Sequence, residues 1–161
     1  MFNINDFCIT INLNSISETE QIAQKLSSVL KKGDLLLFTG KIGAGKTTFI
    51  KAIAKNLGIN ETVTSPSFVL HTLYESGRVQ LSHVDLYRLF EDYEVEEIGF
   101  EDYMDSSVTA VEWADRYPGF KPPYLVLNFE YGTQYEERIL TISSLGGDWK
   151  ERLESLTIID K

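Results

Sequence analysis

Gly40-Lys41-Ile42-Gly43-Ala44-Gly45-Lys46-Thr47 is the stretch on which the reading of this chain turns. It follows Asp34 to Thr39, a short apolar run centred on Leu35-Leu36-Leu37-Phe38. It precedes a stretch in which Ile50, Ile53, Ala54 and Leu57 recur at helical spacing, closed by Gly58. A short apolar run of that kind fits a buried parallel strand. Strand, glycine-rich loop and helix in this order match G-x-x-x-x-G-K-[ST] at every fixed position. Glycine reaches backbone angles closed to other residues, so successive N–H groups can face one anion. A helix opening at Lys46 adds unpaired amides and the positive end of its dipole. Lys46 supplies a mobile charge for the β- and γ-phosphates of a nucleotide, and Thr47 a hydroxyl for Mg²⁺. Lys41 is expected in solvent.

The chain has 161 residues, 43% of them hydrophobic. That length suits a single P-loop domain spanning 1–161, which can bury roughly 70% of its unfolded surface without a disulfide or structural metal. Cys8 is the one cysteine, and with two histidines there is no zinc-ligand set. Cys8 is expected as a buried apolar residue on a first strand. No basic region followed by a long apolar run opens the chain, and Leu35 to Phe38 is too short to cross a bilayer. A cytoplasmic protein without membrane association is the expectation. A net charge of −9, with no densely basic segment, repels a phosphate backbone. Tight direct binding to nucleic acid is therefore not expected, and any nucleotide site must be a local positive spot.

Outward from the loop, Cys8 to Leu13 alternates as a strand, and Ser17 with Glu20 has capping-box spacing. Ile22, Leu26, Val29 and Leu30 then recur at helical spacing, with Gly33 as the stop. Phe68 to Tyr74 and Val79 to Asp85 read as a hairpin. Glu91 to Asp105 is acidic and helical in character, and Val108 to Trp113 is a short buried strand. After the proline-rich link Pro118 to Pro123, Tyr124 to Tyr131 and Glu137 to Ile142 read as a second hairpin around Gly132. Trp149 to Leu156 reads as a closing helix. The fold class predicted is α/β: a P-loop NTPase-like three-layer fold, its mixed central sheet carrying antiparallel hairpins and flanked by helices.

A P-loop needs an acid near the metal, usually at the end of a neighbouring strand. Asp85 and Glu112 each end a predicted strand, and either fits. Leu81, His83 and Asp85 share one strand face, which can point at the phosphates. The plain alternatives are a strand-end cap or a salt bridge to Arg88 for Asp85, and an edge carboxylate in solvent for Glu112. His83 reads first as a core or hydrogen-bonding histidine. Arg88 reads as a surface partner of the acidic helix. Thr64, Ser65 and Ser67 crowd around Pro66, a composition that forms turns and can also order around a γ-phosphate.

Four blocks together resemble the TsaE (YjeE) family of bacterial ATPases. They are Gly40 to Thr48, Thr64-Ser65-Pro66-Ser67-Phe68, His83-Val84-Asp85-Leu86-Tyr87-Arg88, and Val111-Glu112-Trp113. The likeness runs from Ser17-Glu18-Thr19 to Arg138, and the H-x-D-x-Y-R and E-W blocks are far more specific than the P-loop. The resemblance implies ATP and Mg²⁺ as cofactors and the TsaB–TsaD pair as partner. That pair modifies the tRNA adenosine beside the anticodon, so this chain would meet tRNA only through the complex. It further implies phosphate binding by Gly43, Ala44, Gly45, Lys46, Thr47 and Thr48, and metal binding by Thr47 and Glu112. Catalytic roles fall on Lys46, Glu112 and Asp85, and Thr19 falls near the nucleotide. Lys41 and Ser67 depart from the usual acidic or polar residue and threonine of the family pattern.

Other classes remain in view. A P-loop small-molecule kinase would carry an arginine-rich lid, but the five arginines here are scattered. A GTPase would need the guanine-reading N-K-x-D, which the chain lacks. A nucleotide-gated binding module without hydrolysis is a further alternative. The acidic stretch Glu91 to Asp105 reads as a solvated helix face, with a partner surface as the sharper option.

Overall fold

The structure, a computed structural model, describes residues 6–156. Residues 1–5 and 157–161 of the expected 1–161 domain lie outside the described residues. Strand β1 (Phe7–Leu13) turns Ile9, Ile11 and Leu13 toward the core. Cys8 shares the outward face with Thr10 and Asn12 and is exposed, contrary to expectation. Helix α1 (Ile16–Ser27) is capped by Ser15, whose hydroxyl accepts from Glu18 N, while Glu18 Oε2 accepts from Asn14 N at 2.8 Å. The cap therefore lies two residues before the expected Ser17–Glu20 pair. The same spacing recurs there, and it lets the helix begin directly after β1.

Strand β2 (Leu35–Gly40) is followed by the glycine loop and α2 (Lys46–Asn56). Strands β3 (His71–Tyr74) and β4 (Gln80–Asp85) form the first hairpin. It starts at His71 rather than Phe68, because Leu70 has φ +68° and closes a turn on Pro66 O. The acidic stretch holds one helical run, α3 (Tyr93–Ile98), then a left-handed Gly99 and a 3-10 turn at Phe100–Tyr103. Val95 and Phe100 are its buried anchors and the acids lie outward or half-buried. Strand β5 (Ser107–Glu112), the second hairpin β6 (Tyr124–Tyr131) with β7 (Arg138–Leu145), and α4 (Trp149–Glu154) complete the order.

The seven strands form one sheet in the order β1-β7-β6-β2-β5-β4-β3. β2 runs parallel to β5 and β6, and β5 parallel to β4, while the hairpins add antiparallel edges. The expected mixed sheet is thus present. Period-2 alternation sorts its side chains into two cores. Leu36, Phe38, Leu81, Ala110, Leu127 and Phe129 pack under α1, α2 and α4. Leu35, Leu37, Val84, Val111 and Val126 pack with α3 and the turn after it.

Beneath the glycine loop, Phe38, Phe49 and Phe129 cluster with ring centroids 5.6 to 6.3 Å apart. Gly40 is required where β2 meets β6. It has φ +128°, and a Cβ there would come within 2.3 Å of Phe129 O. Phe129→Ala removes the ring that both other aromatics touch. It is expected to cost about 3–5 kcal/mol in urea unfolding, and a loss under 1 kcal/mol would contradict this account of the loop's support.

Candidate functional site

The N-cap of α2 is Gly45, at φ 114°, and no side chain caps the amides of the first helical turn. Those donors remain available to an anion. The Ala44 side chain points into the core, and its N–H donates to Lys41 O within the loop. Gly43 and Lys41 are exposed, as expected for Lys41. The Lys46 ammonium is largely buried. It donates to Gly40 O and to Lys41 O (2.9 Å) and lies 4.2 Å from the centre of the Trp113 ring. Burial lowers its pKa below the usual lysine value, against the upward pull of Glu112, Asp115 and Asp85.

Both candidate acids are at this site, and both are buried. The Thr47 hydroxyl donates to Glu112 Oε1 at 2.6 Å, and His83 Nε2 lies 2.7 Å from Glu112 Oε2. Glu112 is no solvent-facing edge carboxylate. Asp85 stands beside it in register on β4. Its Oδ1 accepts from Tyr87 N at 2.8 Å, and its Oδ2 accepts from the Ser65 and Ser67 hydroxyls, each at 3.0 Å. The strand-end cap weighed as the plain alternative for Asp85 is therefore present, and the same carboxylate ties down the hydroxyl-rich loop. Arg88 makes neither the salt bridge to Asp85 nor a pairing with the acidic helix; it lies 4.2 Å over the Phe68 ring.

Lys46, Thr47, Asp85, Glu112, Trp113 and Arg88 line one cleft of about 430 Å³. A second cleft of about 700 Å³ shares Gly43, Gly45 and Thr48 with it and is walled by Thr19, Tyr131 and Arg138. The structure thus brings Thr19 within the same groove as the P-loop. Two loop supports were not legible beforehand. Tyr131 Oη donates to Ile42 O, and Arg138 Nη2 donates to Gly43 O at 3.4 Å while stacking on Tyr131. Both side chains reach the loop only because β6 lies beside β2.

Among the described residues no three His, Cys, Asp or Glu side chains could hold a metal by themselves. Thr47 and Glu112 nevertheless fit Mg²⁺, which is commonly held by one or two protein oxygens together with substrate phosphates. The Thr47 proton is engaged by Glu112, so its oxygen lone pairs remain free for a cation.

The family model described as "Threonylcarbamoyl adenosine biosynthesis protein TsaE" matches residues 13–140. The chain belongs to the TsaE family. The "tRNA threonylcarbamoyladenosine biosynthesis protein TsaE" of Rickettsia conorii is 33% identical over 92% of this chain and 83% of its own length. The protein of that name from Bacillus subtilis is 36% identical over 87% and 88%. The crystal structure of Bacillus subtilis YdiB superposes with a TM-score of 0.80 at 29% identity, covering 96% of this chain and 97% of that one. No helix among the described residues is long and apolar enough to cross a membrane.

Among the described residues of this TsaE-family fold, Asp85 accepts from both serines of the 64–69 loop, whose hydroxyls also lie 3.0 Å apart. In Asp85→Asn an amide group must face at least one of those three donors. A stability loss of about 1–3 kcal/mol in urea is expected, together with several-fold faster proteolytic cleavage within 64–69. Unchanged cleavage would show that the loop is ordered by something else.

Proposed function

We propose that this chain binds ATP with Mg²⁺ and hydrolyses it, and that its turnover supports threonylcarbamoylation of the tRNA adenosine next to the anticodon. The observation that carries the reading is the 2.6 Å contact of Thr47 with Glu112, in a cleft that also holds Lys46. The pathway follows from family membership and from the names of the relatives.

In this reading residues 1–161 act as one P-loop ATPase domain. The amides of Gly43, Ala44 and Gly45 and those of Lys46, Thr47 and Thr48 wrap the phosphates, and Thr19 lies along the nucleoside side of the groove. Lys46 turns from its loop carbonyls toward the β- and γ-phosphates and stabilises the charge that develops there. Thr47 and Glu112 hold Mg²⁺, which when bound neutralises negative charge on the phosphates. Asp85 keeps the Ser65–Ser67 loop over the γ-phosphate end and helps orient the attacking water. The partner is the TsaB–TsaD pair, as the family resemblance implies. With a net charge of −9 the chain meets tRNA only through that complex. A lone subunit is expected to be slow, its site completed by the partner.

Two of the five arginines serve structure far from the cleft. Arg78 donates to Ser27 O and Leu30 O, and Arg152 pairs with Asp34 at 2.8 Å. That leaves too few for a kinase lid and supports the ATPase over a P-loop small-molecule kinase.

Phosphate release, measured with and without the TsaB–TsaD pair, tests the proposal. Lys46→Ala should weaken ATP binding roughly 100-fold, the scale of losing two charge-assisted bonds. Glu112→Ala should leave the nucleotide affinity measured without Mg²⁺ within about threefold while slowing Mg²⁺-dependent hydrolysis roughly 100-fold. Hydrolysis at the parent rate in Glu112→Ala would falsify the metal assignment. Transfer of the γ-phosphate to a metabolite would replace the ATPase reading by the kinase one.

A further inference from the structure

His83 lies on β4 with no exposed surface. It stands opposite Ala110, and Asp85, two residues on, stands opposite Glu112. The imidazole therefore meets the Glu112 side chain diagonally across adjacent strands. A carboxylate only accepts, so the ring donates from Nε2, across 2.7 Å, to Glu112 Oε2. The other ring nitrogen, Nδ1, is buried without a hydrogen-bond partner among the described residues. Burying an unpaired polar nitrogen costs about 1–3 kcal/mol. An apolar side chain would fill the same space without that cost, so packing alone does not account for a histidine here.

The second oxygen of Glu112 accepts from Thr47. The carboxylate is thus gripped from both sides, by the sheet at Oε2 and by the first turn of α2 at Oε1. Held at one oxygen only, it would swing about its last torsion, which has broad, shallow preferences.

We propose that His83 is a positioning residue: its Nε2–H fixes the plane of the Glu112 carboxylate, so that Glu112 and Thr47 together present a ready seat for a divalent cation. This rests on the ATP–Mg²⁺ reading above. Hydrogen-bonded groups behind a metal-facing ligand typically carry roughly 10–100-fold of metal affinity.

The test is calorimetric binding of ADP to the full chain, in EDTA and in Mg²⁺, for the parent and for His83→Leu, His83→Asn and His83→Gln. In EDTA all four should bind ADP alike. The gain in affinity on adding Mg²⁺ should fall roughly 10-fold in His83→Leu and His83→Asn. His83→Gln should restore most of it, because its amide reaches the Nε2 position whereas that of asparagine stops short. A parent that gains nothing from Mg²⁺ would overturn the ATP–Mg²⁺ reading itself. A parent gain kept in full by leucine and asparagine would overturn the role of His83 alone. Where leucine fails to fold, as judged by circular dichroism, asparagine against glutamine decides, and equal Mg²⁺ responses of those two overturn the proposal. The ¹⁵N spectrum of labelled histidine in the nucleotide-free parent is a readout independent of mutation: an Nε2 that carries no proton also overturns it.

Discussion

The contact between Thr47 and Glu112 spans 65 positions of sequence, and the strand register is what makes it possible. β5 lies parallel to β2 with Phe38 opposite Glu112, and β4 lies parallel to β5 with Asp85 opposite Glu112. A slip of one residue in either pair would turn an acid to the other face of the sheet. The apolar residues forbid that slip: Leu81, Ala110 and Phe38 are packed in one core, Val84, Val111 and Leu37 in the other. Hydrophobic burial thereby places charge. The carboxyl ends of three parallel strands finish side by side, the position where open α/β sheets bind ligands.

Around this fixed line the supports differ in kind. The glycine loop rests on three phenyl rings and is held at its tip by Tyr131 and Arg138, side chains of a hairpin that is itself part of the sheet. In the 64–69 loop Pro66 is buried, but Phe68 is 84% and Val69 68% exposed. The loop is held by two serine hydroxyls on the Asp85 carboxylate, by the turn from Leu70 N to Pro66 O and by Arg88 over the Phe68 ring. Trp113 adds a strained element, with φ +57° at a bulky non-glycine residue. That conformation turns the chain after β5 and brings the indole over Lys46 and against Tyr87, 4.9 Å between ring centres. One wall of the cleft is rigid and the other is held by a few polar contacts.

The P-loop, its strand and its helix were fully legible, because glycine geometry and an apolar stripe are local properties. Both hairpins were legible for the same reason. The choice between Asp85 and Glu112 was not. Which strand lies beside β2 depends on packing along the whole chain, and the sheet answers by bringing both acids to the site. Tyr131 and Arg138 carried no local signal at all. Cys8 is different, since alternation with Ile9, Ile11 and Leu13 already set it on the outward face of β1. Cysteine as a residue type is most often buried, and that preference points the opposite way from the period. The Ser15 cap was hidden by a second S-x-x-E match two residues later. His83 was readable as a hydrogen-bonding histidine, but its acceptor lies on another strand.

Charge bears on why two acids would belong in the phosphate site proposed above. The chain is acidic as a whole, and in the cleft the Lys46 ammonium and the Arg88 guanidinium face two buried carboxylates. Without a divalent cation those formal charges balance, which leaves no net positive charge to attract a triphosphate. In a partly buried setting, charges about 4 Å apart interact by roughly 4 kcal/mol, far more than in water. On the proposed reading, a divalent cation beside Thr47 and Glu112 would make the site net positive, so phosphate and metal would favour each other's binding, and neither carboxylate would be a flaw in an anion cradle. Lys46 alone does not do this. Desolvation already works against its charge, and its ammonium is drawn toward loop carbonyls and the face of an indole. On the ATP–Mg²⁺ reading proposed above, the positive spot that an acidic chain needs would be assembled with its ligand, from a lysine and a metal held by a threonine and a glutamate, rather than built into the fold in advance.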